Sequence, residues 1–128
     1  MNIRVHKAPT GRMAQTIEAG SHAMLVDVKK EAGGDDLALD PHDLLDAALG
    51  ACKALTLKLY AAHKGWPLEN ADVVVTHEES PGLYHLHCAV TLHGDLSAEQ
   101  RSRLMEIADK CPIHRVLSSE ILIETTLC

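Results

Sequence analysis

The first third of the chain alternates short apolar and polar runs at residues 2–8, 12–19 and 22–28, broken by Pro9-Thr10-Gly11 and Gly20-Ser21. Alternation of this kind, punctuated by Gly and Pro, predicts strands. Residues 29–39 are looser, carry Gly33-Gly34-Asp35-Asp36, and read as a loop. The period then changes. Asp40-Pro41 opens a helix, with Asp as N-cap, Pro in the first turn and Asp43 near the positive end of the dipole. The helix runs to about Lys64, where Gly65 suits the left-handed position after a helix and Pro67 forbids continuation. Some 23 residues at about 1.5 Å each give roughly 34 Å, close to the diameter of a small domain.

On this helix Leu44, Leu45, Ala48, Leu49, Cys52, Leu55, Leu59 and Ala62 share one broad arc, with Cys52 near its middle. Asp43, Asp46, Lys53, Lys58 and Lys64 lie on the other side, diluted by Ala47, Ala51, Ala54, Leu57 and Ala61. The arc is expected to face the core, and a helix apolar over most of its circumference is expected to be buried on several sides. A chain of 128 residues has little material with which to surround it. A second copy is therefore expected to help, as an intertwined homodimer.

Residues 72–79 and 83–93 flank Pro81-Gly82 and read as a hairpin. In the second strand Tyr84, Leu86, Cys88, Val90 and Leu92 form an apolar face opposite His85, His87, Ala89, Thr91 and His93. Ser97-Ala98-Glu99-Gln100 is a capping box for a further helix, whose apolar positions Leu104, Ile107 and Ala108 lead to Cys111. Pro112 forces a restart, residues 113–117 read as a short helical piece, and residues 121–127 as a final strand. The order is βββ-α-ββ-α-β, an α+β protein forming a single domain over residues 1–128.

Composition narrows the function. The chain is 46% hydrophobic and 23% charged, as a soluble protein is, and no apolar run approaches the ~20 residues of a membrane helix. MNIRVHKAPTGR lacks the apolar stretch of a signal peptide, so a cytoplasmic location is expected. A net charge of −6 argues against a nucleic-acid partner, and with no Phe and only Trp66, Tyr60 and Tyr84 there is no base-stacking platform. The chain carries no GxSxG, Walker A or GxGxxG motif.

The informative residues are Cys52, Cys88, Cys111 and Cys128. They form no CxxC pair, so a zinc ribbon fails on spacing. Cys52 on an apolar helical face is either a core filler or a reactive thiol. Cys111, just before Pro112, can stand at a helix N-terminus, where backbone N–H groups favour a thiolate. Cys88 on an apolar strand face reads as structural, and Cys128 as incidental. His114, three residues after Cys111, is placed to tune a thiol. His85, His87 and His93 read as a solvated face, and no metal is expected.

Asp40-Pro41-His42-Asp43-Leu44-Leu45 followed by Ala47-Ala48-Leu49-Gly50-Ala51-Cys52 resembles the central helix of the OsmC/Ohr family, the osmotically inducible and organic hydroperoxide resistance proteins. Ala108-Asp109-Lys110-Cys111-Pro112-Ile113-His114-Arg115 resembles that family's second cysteine motif. Thr10-Gly11-Arg12, Gly33-Gly34 and the spacing of the two cysteines also match, so the resemblance spans nearly the whole chain. It implies an OsmC-like fold, an intertwined homodimer with two sheets, long central helices and active sites at the subunit interface. It also implies a thiol-dependent peroxidase that reduces small organic hydroperoxides. Cys52 would be the peroxidatic residue, Cys111 the resolving one and Arg12 the arginine supporting the thiolate. An external dithiol or lipoyl-type reductant would reset the enzyme, with no bound cofactor. One position departs from the pattern. Peroxidase members carry Glu directly after the helix-opening Pro, where it pairs with the arginine. This chain has His42 there, then Asp43, which is one methylene shorter and rotated by ~100°. That places the chain nearest the general OsmC-like branch. His42, Asp43 and His114 are supporting candidates. The alternatives are a binding or stress protein that keeps the fold with little turnover, and a metal site built from Cys52, Cys111 and nearby His.

Overall fold

The structure, a computed structural model, describes residues 2–128 and divides into two compact units, residues 1–45 and 46–128. In the first, β1 (Ile3–Lys7), β2 (Gln15–Ala19) and β3 (His22–Val26) form an antiparallel meander in that order. Val5 stands opposite Ile17, and Ile17 opposite Met24.

The loop that follows is built around one buried carboxylate. Asp27 is 3% exposed. It accepts hydrogen bonds from the N–H groups of Val28 (2.8 Å), Leu37 (3.1 Å) and Asp35 (3.3 Å). The strand end and both sides of the loop are thereby tied to one side chain. Gly34 is required here, because a Cβ would stand 2.3 Å from Val28 O and 2.8 Å from Asp27 Oδ1. Asp40 then caps α1 (Pro41–Lys64): Asp43 N–H donates to Asp40 Oδ1 at 2.9 Å, and Asp40 N–H donates back to Asp43 Oδ2 at 3.4 Å. The helix ends as the sequence predicts, with Gly65 at φ +72°.

The second unit contains α1 from Asp46 onward, the hairpin of β4 (Leu68–Ser80) and β5 (Leu83–Gly94), α2 (Ala98–Ala108) and α3 (Pro112–Leu117). Ser97 and Gln100 make the predicted capping box on α2. Residues 84, 86, 88, 90 and 92 of β5 are half-buried while their neighbours are exposed, as the alternation predicts. The core gathers Leu57, Ala61, Ala71, Leu104, Ile107 and Ala108, with Tyr60, Trp66, Val90 and Leu92 packed against it.

Two expectations are corrected. The buried stripe of α1 is Asp46, Leu49, Gly50, Lys53, Leu57 and Ala61, whereas Leu55 and Leu59 of the expected arc are 61% and 71% exposed. The core-facing side is rotated toward the face that carries charges. Small residues decide this: Gly50 lets α1 lie close on β4, its notional Cβ only 3.0 Å from Val75 Cγ2. Asp46 and Lys53 are tolerated inside because distant elements supply their hydrogen bonds. The final strand expected at 121–127 is also not formed. A strand needs a neighbour to satisfy its backbone groups, and among the described residues these pair with none.

The three N–H donors, Leu37 foremost, hold the Asp27 carboxyl below the usual carboxylate range. Its stabilising contribution is complete above the ordinary carboxylate pKa and is lost as pH falls through the lowered value. Asp27→Asn should therefore lower the melting temperature at pH 7, with the gap to wild type closing on acidification. A thermal melt series from neutral to acid pH checks this.

Candidate active site

α1 carries Cys52, and the turn between α2 and α3 carries Cys111, the N-cap of α3. Two successive peptide groups join them. Ile113 N–H donates to Cys52 Sγ at 3.5 Å, and His114 N–H donates to Cys111 Sγ at 3.4 Å. Pro112 has no N–H to compete and fixes the backbone that aims the next two. Cys111 is wholly buried and Cys52 half-buried. Burial pushes the Cys111 thiol up. The His114 N–H and the Lys53 charge pull it part-way back, and the adjacent Cys52 pushes it up again. Cys111 is thus held as a thiol at neutral pH, beside a second sulfur more open to solvent.

Lys53, next to Cys52, is 3% exposed. Its Nζ donates to Ala108 O at 2.7 Å and lies 2.8 Å from His114 Nδ1. An ammonium has only donors, so Nδ1 accepts and the ring proton sits on Nε2. The Asp109 carboxylate stands 4.0 Å away at the exposed rim. A cavity of about 340 Å³ opens here, with Leu49, Leu86 and Leu117 as apolar walls and Lys53, Cys88 and His114 among its other sides. Burial also pushes the Cys88 thiol up, against the pull of Lys53. Farther along the same stripe, Asp46 accepts from Tyr84 OH at 3.0 Å and from His77 Nδ1, and the His77 and Tyr84 rings stack with centroids 4.9 Å apart. Among the described residues no group of three or more His, Cys, Asp or Glu could hold a metal ion.

Arg12, His42 and Asp43 lie in the first unit. Arg12 is clamped by Asp35, whose carboxylate takes the Arg12 backbone N–H (2.9 Å), Nη2 (3.1 Å) and Nε (3.2 Å), while Gly34 O takes Nη2 at 3.1 Å. The Arg12 N–H and guanidinium hold Asp35 below the usual carboxylate range. Asp43 is occupied with the Asp40 cap and with Lys29, 3.5 Å away. His42 is exposed in the first turn of α1, beside Asp40, whose carboxyl the Asp43 N–H foremost, and Lys29 and His42 after it, hold below the usual carboxylate range.

Of the expected site residues the second unit gathers Cys52, Cys111 and His114. Lys53, Asp46 and Asp35 were missed. The repeat at 46, 49/50, 53, 57 and 61, with a glycine in mid-helix, marks a close-packed face and could have exposed the first two.

Residues 33–126 match the family of OsmC-like proteins. The chain belongs to that family. No curated protein sequence matches it. Among solved structures, a proposed osmotic-stress and detoxification response protein from Psychrobacter arcticus superposes with a TM-score of 0.78 at 16% identity, covering 91% of this chain and 87% of that one. An OsmC-like protein from Mycoplasma pneumoniae gives 0.68 at 20% identity, covering 92% and 88%. The organic hydroperoxide resistance protein OhrB of Bacillus subtilis gives 0.55 at 20% identity, covering 91% and 90%. At these identities the likeness establishes the α+β fold of the OsmC-like proteins. No helix among the described residues is long and apolar enough to cross a membrane.

The burial difference predicts an order of labelling. Iodoacetamide under native conditions should modify exposed Cys128 first and Cys52 next, with Cys111 protected until the chain is denatured. Peptide mass spectrometry against time reads this directly.

Proposed function

We propose that this OsmC-like protein is a thiol-dependent peroxidase for small organic hydroperoxides. The observation that carries the reading is the pair of consecutive N–H groups, Ile113 on Cys52 Sγ and His114 on Cys111 Sγ, which makes two sulfurs distant in sequence neighbours in space. Cys52 is the peroxidatic residue. Its thiolate attacks the O–O bond, an S–O bond forms, and the alkoxide leaves and takes a proton to become the alcohol. Cys111 is the resolving residue. Its sulfur attacks the Cys52 sulfenic acid, the S–S bond forms, and hydroxide leaves with the Cys111 proton as water. An external dithiol or lipoyl-type reductant returns two electrons and restores both thiols.

A resolving thiol should stay protonated and out of reach of bulk peroxide until sulfenic acid forms beside it, and complete burial of Cys111 supports that assignment. Leu49, Leu86 and Leu117 wall a cavity beside Lys53 and His114 whose lining includes neither Cys52 nor Cys111; its apolar surface suits the alkyl group of an organic hydroperoxide. By its resemblance to the family's arginine, Arg12 is assigned as the guanidinium that supports the thiolate; within the first unit Asp35 holds it. The working form is a homodimer. The exposed Leu55 and Leu59 on α1, and Leu122, Ile123 and Leu127 beyond α3, support it as surface that a second copy would cover. The reducing cytoplasm is where such a dithiol cycle runs.

The test is consumption of cumene or tert-butyl hydroperoxide with dihydrolipoamide. Wild type should turn over, and Cys52→Ser should fall to the rate without protein. Equal slow rates for the two would leave an OsmC-like binding or stress protein that keeps the fold without turnover.

A further inference from the structure

Lys53 occupies a position that a structural lysine does not need. Its side chain is buried, yet its two short hydrogen bonds go to neutral acceptors on either side of Cys111: Ala108 O at the end of α2 and the His114 ring in α3. Those two acceptors bracket the turn whose next N–H groups hold the sulfurs. Lys53 also follows Cys52 directly on α1, so one residue links the helix bearing the first sulfur to the segment bearing the second. Its charge acts on Cys111 and on Cys88 alike.

We propose that Lys53 is a positioning residue for the thiol pair, clamping the 108–114 turn onto α1 and supplying the positive charge under which the Cys111 thiolate forms when Cys52 is oxidised. His114 is the other half of the clamp. Its neutral ring accepts from Lys53 at Nδ1, while its backbone N–H holds Cys111 Sγ. The inference deepens the peroxidase reading in one respect, since it names what governs the second chemical step.

A thiolate-forming role has a pH signature that a packing role lacks. Below the thiol's pKa the rate of disulfide formation follows the thiolate fraction times the thiolate's nucleophilicity, which rises with pKa, so loss of a charge worth one pKa unit slows the step about threefold to fourfold, and raising the pH by about half a unit restores it. The groups facing Lys53, His114 and Cys111 are Cys52 on α1, Tyr84, His87 and Cys88 from β5, and Asp109 at the end of α2, with Asp46 of α1 acting on Cys88. Cys88→Ser serves as the common background so that a third thiol does not enter the profile.

The experiment measures the rate of Cys52–Cys111 disulfide formation from pH 6 to 9 in the full-length protein, using diamide and, in parallel, tert-butyl hydroperoxide. Lys53→Met, Lys53→Arg and His114→Leu are compared with the parent. Lys53→Met should be about threefold to fourfold slower at pH 7 and should regain the parent's rate about half a pH unit higher, while Lys53→Arg stays near the parent. His114→Leu, which keeps the ammonium but removes one anchor, should slow the step at every pH without moving the profile. If Lys53→Met is unchanged, or uniformly slower with Lys53→Arg equally impaired, the proposal is overturned. Should Lys53→Met fail to fold, Lys53→Arg and His114→Leu still decide, since the parent's rate at every pH in His114→Leu contradicts the clamp. If the parent forms the disulfide with diamide but not with hydroperoxide, the peroxidase reading fails while the Lys53 comparison stands. No disulfide with either oxidant overturns both.

Discussion

A charge inside a protein must be met by dipoles, and the second unit of this OsmC-like protein is arranged around that demand at Lys53. Removing an ammonium from water costs several kcal/mol unless the interior replaces its hydration. Here a carbonyl at the end of α2 and a ring nitrogen in α3 do so. The two elements that bear Cys111 are thereby held to the helix that bears Cys52. The first turn of α3, started by Pro112, offers one peptide N–H to each sulfur. The placement of the thiols is a consequence of a satisfied buried charge and a proline-fixed turn.

The N-terminal unit applies the same economy to anions. Asp27 gathers three backbone N–H groups and closes the loop after β3, and Asp35, on that loop, grips Arg12. The carboxylate that orients the arginine thus comes from the Gly34-Asp35 loop and not from the first turn of α1. His42 stands in that turn, where the resemblance leads one to look for Glu. Asp43 could not have substituted, since its carboxylate is committed to the helix cap and to Lys29.

Local chemistry was readable in advance. The bounds of α1, the Gly65 terminus, the Ser97–Gln100 capping box, the Pro112 restart and the β5 alternation depend on residues within a few positions of one another. Everything that sequence reasoning misplaced depends on distant partners. Asp46 and Lys53 look like solvent-facing charges until Tyr84, His77, Ala108 and His114 are brought to them, and the apolar arc through Leu55 and Leu59 looks like core until Gly50 and Val75 fix the rotation of the helix. The segment after α3 has the composition of a strand without an edge to pair with. Pairing Cys52 with Cys111 came from family resemblance, because nothing in the local pattern of either residue points to the other.

If these two sulfurs are chemical neighbours, treating the reduced protein with one equivalent of an organic hydroperoxide and mapping its peptides without reduction should give one intramolecular link, Cys52 to Cys111, with Cys88 and Cys128 still free. Sulfinic acid at Cys52 beside an untouched Cys111, or a link joining either to a different cysteine, would contradict that pairing.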